Sequence, residues 1–361
     1  MTDVIDGAEV VVCCGSGGVG KTTIAAAIGL AAAGAGRRVV VVTIDPARRL
    51  ADALGLAGGL TGDPQRIELP DAPGELWAMM LDTPAMFERV VRINAGSDEQ
   101  VARIVQNRFY RNLADALSGT QEFMASEALY ELHADERFDL VVVDTPPSRN
   151  ALDFLEAPGV LARFLDHKVF RLVMLPTRTG FRMLSLASQP ILRAIGRVVG
   201  SDALADAAAF FQAFAGMEGG FRERAEMVAS LLQADTTRFV LVTSAHRETV
   251  EEAAWFADQL INLGFGVEAV VANRVHPRFG AITVSEAKRR AARAERESRH
   301  DEAALWSNLA ELRYVAEAER EALAPLLARA ADGSTIEIPL LATDVHDLDA
   351  LDHVAGHLRI G

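Results

Sequence analysis

The sequence predicts an α/β protein: a mostly parallel central sheet with flanking helices, interrupted by helical insertions. Three observations carry that expectation. Apolar runs of strand length alternate with helical patterns along the chain, as a parallel sheet covered on both faces requires. A glycine-rich stretch of the form G-x-x-x-x-G-K-[ST], Gly15-Ser16-Gly17-Gly18-Val19-Gly20-Lys21-Thr22, lies between the first strand and the first helix. Two later apolar strands run straight into aspartates, Asp45 and Asp144.

The glycine-rich stretch organises the rest. Val10 to Cys14 reads as a buried strand and Ile24 to Ala33 as a helix, so the loop between them sits at a helix N-terminus. Glycines let successive N–H groups turn around phosphate oxygens, and the helix end adds partial positive charge. In such a loop Gly15 to Thr23 binds a nucleotide. Lys21 reaches the β- and γ-phosphates and the Thr22 hydroxyl ligates Mg²⁺. The helix ends at Gly34-Ala35-Gly36, and Arg38 to Ile44 forms the second strand of a βαβ unit. The Asp45-Pro46-Ala47 turn that follows has two readings. Its carboxylate either positions the attacking water or Mg²⁺, or caps a helix that begins at Pro46.

Composition bounds the function. The chain has 361 residues, 50% of them hydrophobic, enough for one large α/β domain or two smaller ones. A net charge of −14 argues against a nucleic-acid surface and against loose attachment to anionic lipid. No signal peptide precedes the first strand and no apolar run approaches the ~20 residues that span a bilayer, so cytoplasmic residence is the expectation. The two cysteines, Cys13 and Cys14, are adjacent in the first strand and point to opposite faces, which favours packing over a disulfide or metal.

Further along, Glu75 to Asp82 reads as a strand and residues 83–134 as helical, with Met86, Val90, Ile93, Val101, Ile104, Val105 and Phe109 at helical spacing. Breaks fall at Gly96-Ser97-Asp98 and Ser118-Gly119-Thr120. Phe138 to Asp144 is a strong strand whose terminal acid, paired with Lys21-Thr22, completes a phosphate-loop Mg²⁺ site. The turn Thr145-Pro146-Pro147-Ser148-Arg149-Asn150 then stands where a γ-phosphate sensor belongs. Residues 151–233 are helical and rich in Met and Phe, among them Phe154, Phe164, Phe170, Met174, Phe181, Met183, Phe210, Phe211, Phe214, Met217 and Phe221. Such a stripe is either ordinary core or a binding groove. Arg238–Thr243 and Val267–Ala272 resume the sheet around a helix from Glu248 to Leu263, and the second of these strands leads into Asn273-Arg274. Residues 287–331 form a highly charged helical stretch, a solvated face or hairpin. Thr335 to Ile338 is the last strand, entering Pro339-Leu340-Leu341. His353 and His357 share a face of the final helix, without a third ligand in view for a metal.

With these residues in view, the chain resembles the ArsA family of ATPases, the P-loop branch that holds the arsenite-pump ATPase and the tail-anchored-protein-targeting ATPase. The likeness rests on five stretches in order: Gly15 to Thr23, Asp45-Pro46-Ala47, Asp144-Thr145-Pro146-Pro147, Val270 to Asn273, and Ile338 to Leu341. The resemblance implies ATP and Mg²⁺ as cofactors. It implies Asp45 as the switch I water-positioning acid, Asp144 as the switch II acid near Mg²⁺, and Asn273 with Pro339 and Leu340 around the adenine. It also implies one ATPase domain over 1–361. The sheet core would fall at 1–82, 136–150, 236–275 and 335–361, a helical subdomain at 83–135 and 151–235, and a charged helical segment at 284–331. In the family, ATP holds two subunits face to face, and hydrolysis changes their separation to work on a client or a membrane partner.

The departures from the family pattern matter as much. The family loop reads G-K-G-G-x-G-K-T, and its first lysine contacts the partner's phosphates; here that place holds Ser16. Charge donated in trans is worth ~10³ or more in rate, so a homodimer is expected to be slow unless Arg48, Arg49 or Arg149 substitutes. A heterodimer with a paralogue carrying the lysine is the alternative. Without further cysteines, the chain cannot build the family's zinc clamp or thiolate site for arsenite.

Overall fold

The computed structural model describes residues 5–45, 47–70, 72–108, 120–147, 151–159, 206, 209–210, 212–329 and 335–359. Pro46, Phe109, the Ser118-Gly119 break, Ser148-Arg149-Asn150 and Phe164, Phe170, Met174, Phe181, Met183 and Phe211 lie outside the described residues. The chain divides into two compact units. One comprises Met1–Met79, Glu136–Arg149 and Asp235–Gly361, the other Met80–Asp135 and Asn150–Ala234.

Eight strands form one sheet: β1 (Val10–Gly15), β2 (Arg38–Thr43), β3 (Gln65–Ile67), β4 (Glu75–Met80), β5 (Leu140–Asp144), β6 (Thr237–Ser244), β7 (Ala269–Val275) and β8 (Thr335–Pro339). Their spatial order is β3-β4-β2-β5-β1-β6-β7-β8. From β2 to β8 the described pairs are parallel, and β3 pairs antiparallel with β4 at one edge. The valine runs Val39–Val42 and Val141–Val143 are buried, with the helix Lys21–Gly34 packed against both strands. β3 was not foreseen. It is three residues long, and Gln65 and Arg66 carry no apolar alternation to announce it.

The helices, in order, are α1 (Lys21–Gly34), α2 (Arg49–Ala53), α3 (Thr83–Asn94), α4 (Asp98–Val105), α5 (Thr120–Ala134), α6 (Glu218–Leu232), α7 (Arg247–Asn262), α8 (Val284–Arg296), α9 (His300–Leu327) and α10 (Leu348–Arg359). α1 is buried on nearly all sides, between the sheet and α10, which explains its alanines. Small side chains let it lie against the strands: a Cβ at Gly29 would meet Val41 and Leu76. The charged segment folds as two helices, α8 and α9, packed against each other. In the second unit, α3 and α4 are capped by Asp82, accepting from Ala85 N at 3.0 Å, and Ser97, accepting from Gln100 N at 3.2 Å. There Phe210, Phe214, Met217 and Phe221 are buried as core, with the Phe214 and Phe221 rings 4.8 Å apart. No helix among the described residues is long and apolar enough to cross a membrane.

Arg37 ties the N-terminal ends of the central strands together. Its guanidinium donates to the carbonyls of Ile5 at 2.7 Å and Ala8 at 2.6 Å, and to that of Asp139. These carbonyls belong to the segments that feed β1 and β5. Arg37→Ala should lower stability by about 2–3 kcal/mol, since it strands buried acceptors. Chemical denaturation checks this, with Arg37→Lys restoring only part of the loss.

Candidate functional site

Parallel strands place their C-terminal ends on one edge, and the register fixes which residues meet there. Cys13 and Thr43 both lie level with Asp144, Gly15 is level with Val242, and Ser244 with Asn273. β1 is also where the chain turns from building one side of the sheet to building the other. That topological crevice is where open α/β sheets bind ligands.

The Gly15–Thr23 loop leaves β1 and enters α1 there. Gly15 has φ 151, and a Cβ on it would overlap the Val242 carbonyl of β6. Gly20 caps α1 with φ 95, and a Cβ there would strike the Asn273 amide. Both positions therefore need glycine, for close approach as well as for conformation. Lys21 is 8% exposed, and its Nζ donates to the Ser16 carbonyl at 2.8 Å. Burial lowers its pKa, with the charge of Asp144 opposing that shift. The Ser16 side chain is buried, and its hydroxyl has no partner among the described residues.

Asp144 is 1% exposed. Its Oδ2 accepts from the Thr43 hydroxyl at 2.8 Å, while Oδ1 has no hydrogen bond among the described residues. Burial pushes its pKa up to about 6; the hydroxyls of Thr43 and Thr22 and the charge of Lys21 pull the other way, and Asp45 adds to the rise. A buried carboxylate with one oxygen unspent is an arrangement that a divalent cation completes. Together with the glycine cradle and the parked Lys21, it fits a Mg-nucleotide, with Thr22 and Asp144 as the residues to hold the metal. Thr145 fixes the start of the following turn, its hydroxyl donating to the Cys13 carbonyl at 2.8 Å.

Asp45 does not cap a helix. α2 begins at Arg49, and Asp45 instead forms a local turn, Oδ1 accepting from Ala47 N at 2.9 Å, with Arg49 3.5 Å from its Oδ2. On the other side of the loop, Asn273 is buried and its Nδ2 donates to the Val19 carbonyl at 2.8 Å. Pro339 pairs with Val275, and the exposed Leu340 bonds through its N–H to the Val275 carbonyl at 2.9 Å. Asn273 thus lies near the end of β7 beside Pro339 at the end of β8, but the Asn273 amide is turned onto the loop and not outward. A cavity of about 580 Å³ lies elsewhere, at the C-terminal end of α1, lined by Gly34, Leu69 and Leu348 among others. His353 and His357 stack edge to face at 5.4 Å, and no cluster of three potential metal ligands occurs among the described residues.

Two contributors were missed in the sequence. Thr43, the last residue of a valine strand, carries no motif; only the pairing with Asp144 reveals it. Arg274 reaches the Gly18 carbonyl from an unusual backbone conformation that no sequence pattern announces.

The model of the anion-transporting ATPase (ArsA) family matches residues 8–300. The chain belongs to this family. It is 37% identical to the protein Rv2184c of Mycobacterium tuberculosis over 158 residues, 42% of this chain and 38% of that one. With the ATPase get3 of Aspergillus terreus it shares 26% identity over 74% of this chain and 73% of the relative. With the arsenical pump-driving ATPase of Acidiphilium multivorum it shares 26% over 93% of this chain but 47% of the relative. This ArsA-family chain therefore spans less than half the length of the first and third of these proteins.

The raised Asp144 pKa makes a stability prediction for the protein free of nucleotide and Mg²⁺. The folded state holds this proton more tightly than the unfolded chain, so stability falls as pH rises from the ordinary carboxylate value to about 6, and the full cost stands above that. A shift of this size corresponds to about 3 kcal/mol. Asp144→Asn should raise the melting temperature at pH 7.5, with the gain shrinking towards pH 4.5. A variant no more stable than wild type at either pH would contradict the assignment.

Proposed function

We propose that this chain binds Mg-ATP on the β1–α1 loop and hydrolyses it, and that the nucleotide state sets a dimer arrangement controlling a protein partner or hydrophobic client. The observation that carries the reading is the placement of Lys21, bonded to the Ser16 carbonyl, within electrostatic reach of the half-satisfied carboxylate of Asp144, in a chain of an ATPase family. Bound Mg-ATP supplies an electrophilic γ-phosphate and a divalent charge. Lys21, leaving the Ser16 carbonyl, neutralises phosphate charge. Thr22 and Asp144 hold the cation, and Thr43 keeps the Asp144 carboxylate oriented. Asp45, fixed by its local turn, orients the attacking water. Asn273, Pro339 and Leu340 form the wall for the base once the Asn273 amide leaves Val19.

The acidic net charge of −14 favours a protein client over nucleic acid, and the cytoplasm is the proposed place of action. Arsenite and zinc are not proposed as ligands. Cys13 and Cys14 are both buried; burial raises the pKa of each, that of Cys14 to about 12, so both stay thiols.

One observation favours a second reading. Ser16 has neither the charge nor the exposure to act on a partner subunit, so the chain could serve as the regulatory half of a heterodimer with little turnover of its own. Steady-state ATP turnover of wild type and Ser16→Lys, alone and with any co-purifying paralogue, separates the two. Slow turnover rescued at least tenfold by lysine or by the paralogue marks half of a shared site. Brisk wild-type turnover supports the complete enzyme.

Asp45→Asn should keep ATP affinity within about threefold and lose 10²-fold or more in kcat. Isothermal titration and phosphate release measure the two, and unchanged turnover assigns the water to another residue.

A further inference from the structure

Strand β7 is buried along its length except at Arg274, which is exposed between buried Asn273 and buried Val275. The ladder to β8 slips at the same place. Ala272 is level with Glu337, but the next pair is Val275 with Pro339, so β7 carries one extra residue. Such a bulge re-aims a side chain, and bulges recur beside functional sites. Arg274 also has φ 60, a left-handed backbone that an L side chain adopts only at a cost. Strain of this kind gathers where a side chain must be delivered to a ligand.

The side chains of this bulge are directed at the phosphate loop. Asn273 Oδ1 accepts from Arg274 N at 3.0 Å and stabilises the turn of the chain. Asn273 Nδ2 then donates to the Val19 carbonyl at 2.8 Å, and Arg274 Nη1 reaches the Gly18 carbonyl at 3.4 Å. Two consecutive β7 residues hold two consecutive loop carbonyls. In a trans peptide the N–H points opposite to the C=O, so the N–H groups of Val19 and Gly20 are turned away from β7.

The contact of Arg274 itself is long, exposed and made to a neutral acceptor. A guanidinium binds phosphate oxygens by shorter, charge-assisted and often bidentate bonds. Other cations offered by the sequence are engaged differently: Arg49 lies against Asp45, and the guanidinium of Arg48 lies beside Gly59.

We propose that Arg274 is a nucleotide-contact residue, a second cation of the phosphate site delivered by the β7 bulge, which exchanges the Gly18 carbonyl for the phosphate oxygens of a nucleoside di- or triphosphate. It brings in cis a positive charge that Ser16 does not supply. The inference rests on reading the loop as a nucleotide site, and its test separates the two claims.

Equilibrium titration of wild type, Arg274→Ala, Arg274→Gly and Arg274→Lys with fluorescent ATP, ADP and AMP analogues in Mg²⁺ is the experiment. The glycine variant matters because it relieves the left-handed strain and so keeps the fold while removing the charge. Loss of affinity for ATP and ADP by about tenfold or more in the alanine and glycine variants is expected, with AMP affected threefold or less and lysine recovering part of the loss. ATP affinity unchanged in Arg274→Ala and Arg274→Gly would overturn the proposal while leaving the nucleotide site intact. So would equal losses for ATP and AMP, which would mark a role in loop shape alone. No ATP binding by the wild type would overturn the nucleotide reading itself, and this inference with it.

Discussion

The site depends on one buried charge that the protein only half satisfies. Asp144 lies where β5 ends between β1 and β2, with Thr43 on one carboxylate oxygen and, among the described residues, no hydrogen bond on the other. Burying a carboxylate costs several kcal/mol unless partners compensate, and here Thr22, Thr43 and Lys21 compensate in part. A cation would complete the set. The same burial that raises the Asp144 pKa therefore makes the residue receptive to a divalent ion, and the neighbouring Lys21 is held ready on the Ser16 carbonyl. Stability is given up at a position where a bound cation would recover it, a pattern common at functional sites.

The parallel sheet is what brings these groups together. Residues more than a hundred positions apart, Thr43 and Asp144, become neighbours because β2 and β5 pair in parallel with those residues in register. The loop is held between that acid on one side and β7 on the other. Gly15 and Gly20 permit the contact, since a side chain at either would strike Val242 or Asn273. β7 grips the loop through Asn273 and Arg274 in the ligand-free protein, and on the proposed reading both contacts are exchanged when a nucleotide binds.

Much of this could be read from the chain because parallel strands buried on both faces leave a plain signature. Val39–Val42 and Val141–Val143 announce themselves, and each delivers a terminal polar residue to the same edge. The glycine spacing from Gly15 to Lys21 is equally legible, because its chemistry requires those residue types in that order. What stayed hidden depends on pairing or on backbone conformation. β3 has no apolar pattern, Thr43 matters only through its register with Asp144, and the left-handed Arg274 looks like any strand residue in sequence. Asp45 shows the limit from the other side. Followed by proline it reads equally as a helix cap or as an acid that positions water or Mg²⁺, and only the structure shows that α2 starts at Arg49 and Asp45 bonds Ala47 instead.

The Asp144 carboxylate and the Gly15–Thr23 loop are proposed to form one site for a nucleotide together with a divalent cation. The most direct measurement is the thermal shift of the wild-type protein with ATP alone, with Mg²⁺ alone and with both. A small shift is expected for Mg²⁺, a modest one for ATP, and with both a shift that exceeds their sum, as linked binding to one site requires. A shift with both ligands no greater than with ATP alone would contradict the proposal, because Asp144 would then hold no cation for the nucleotide.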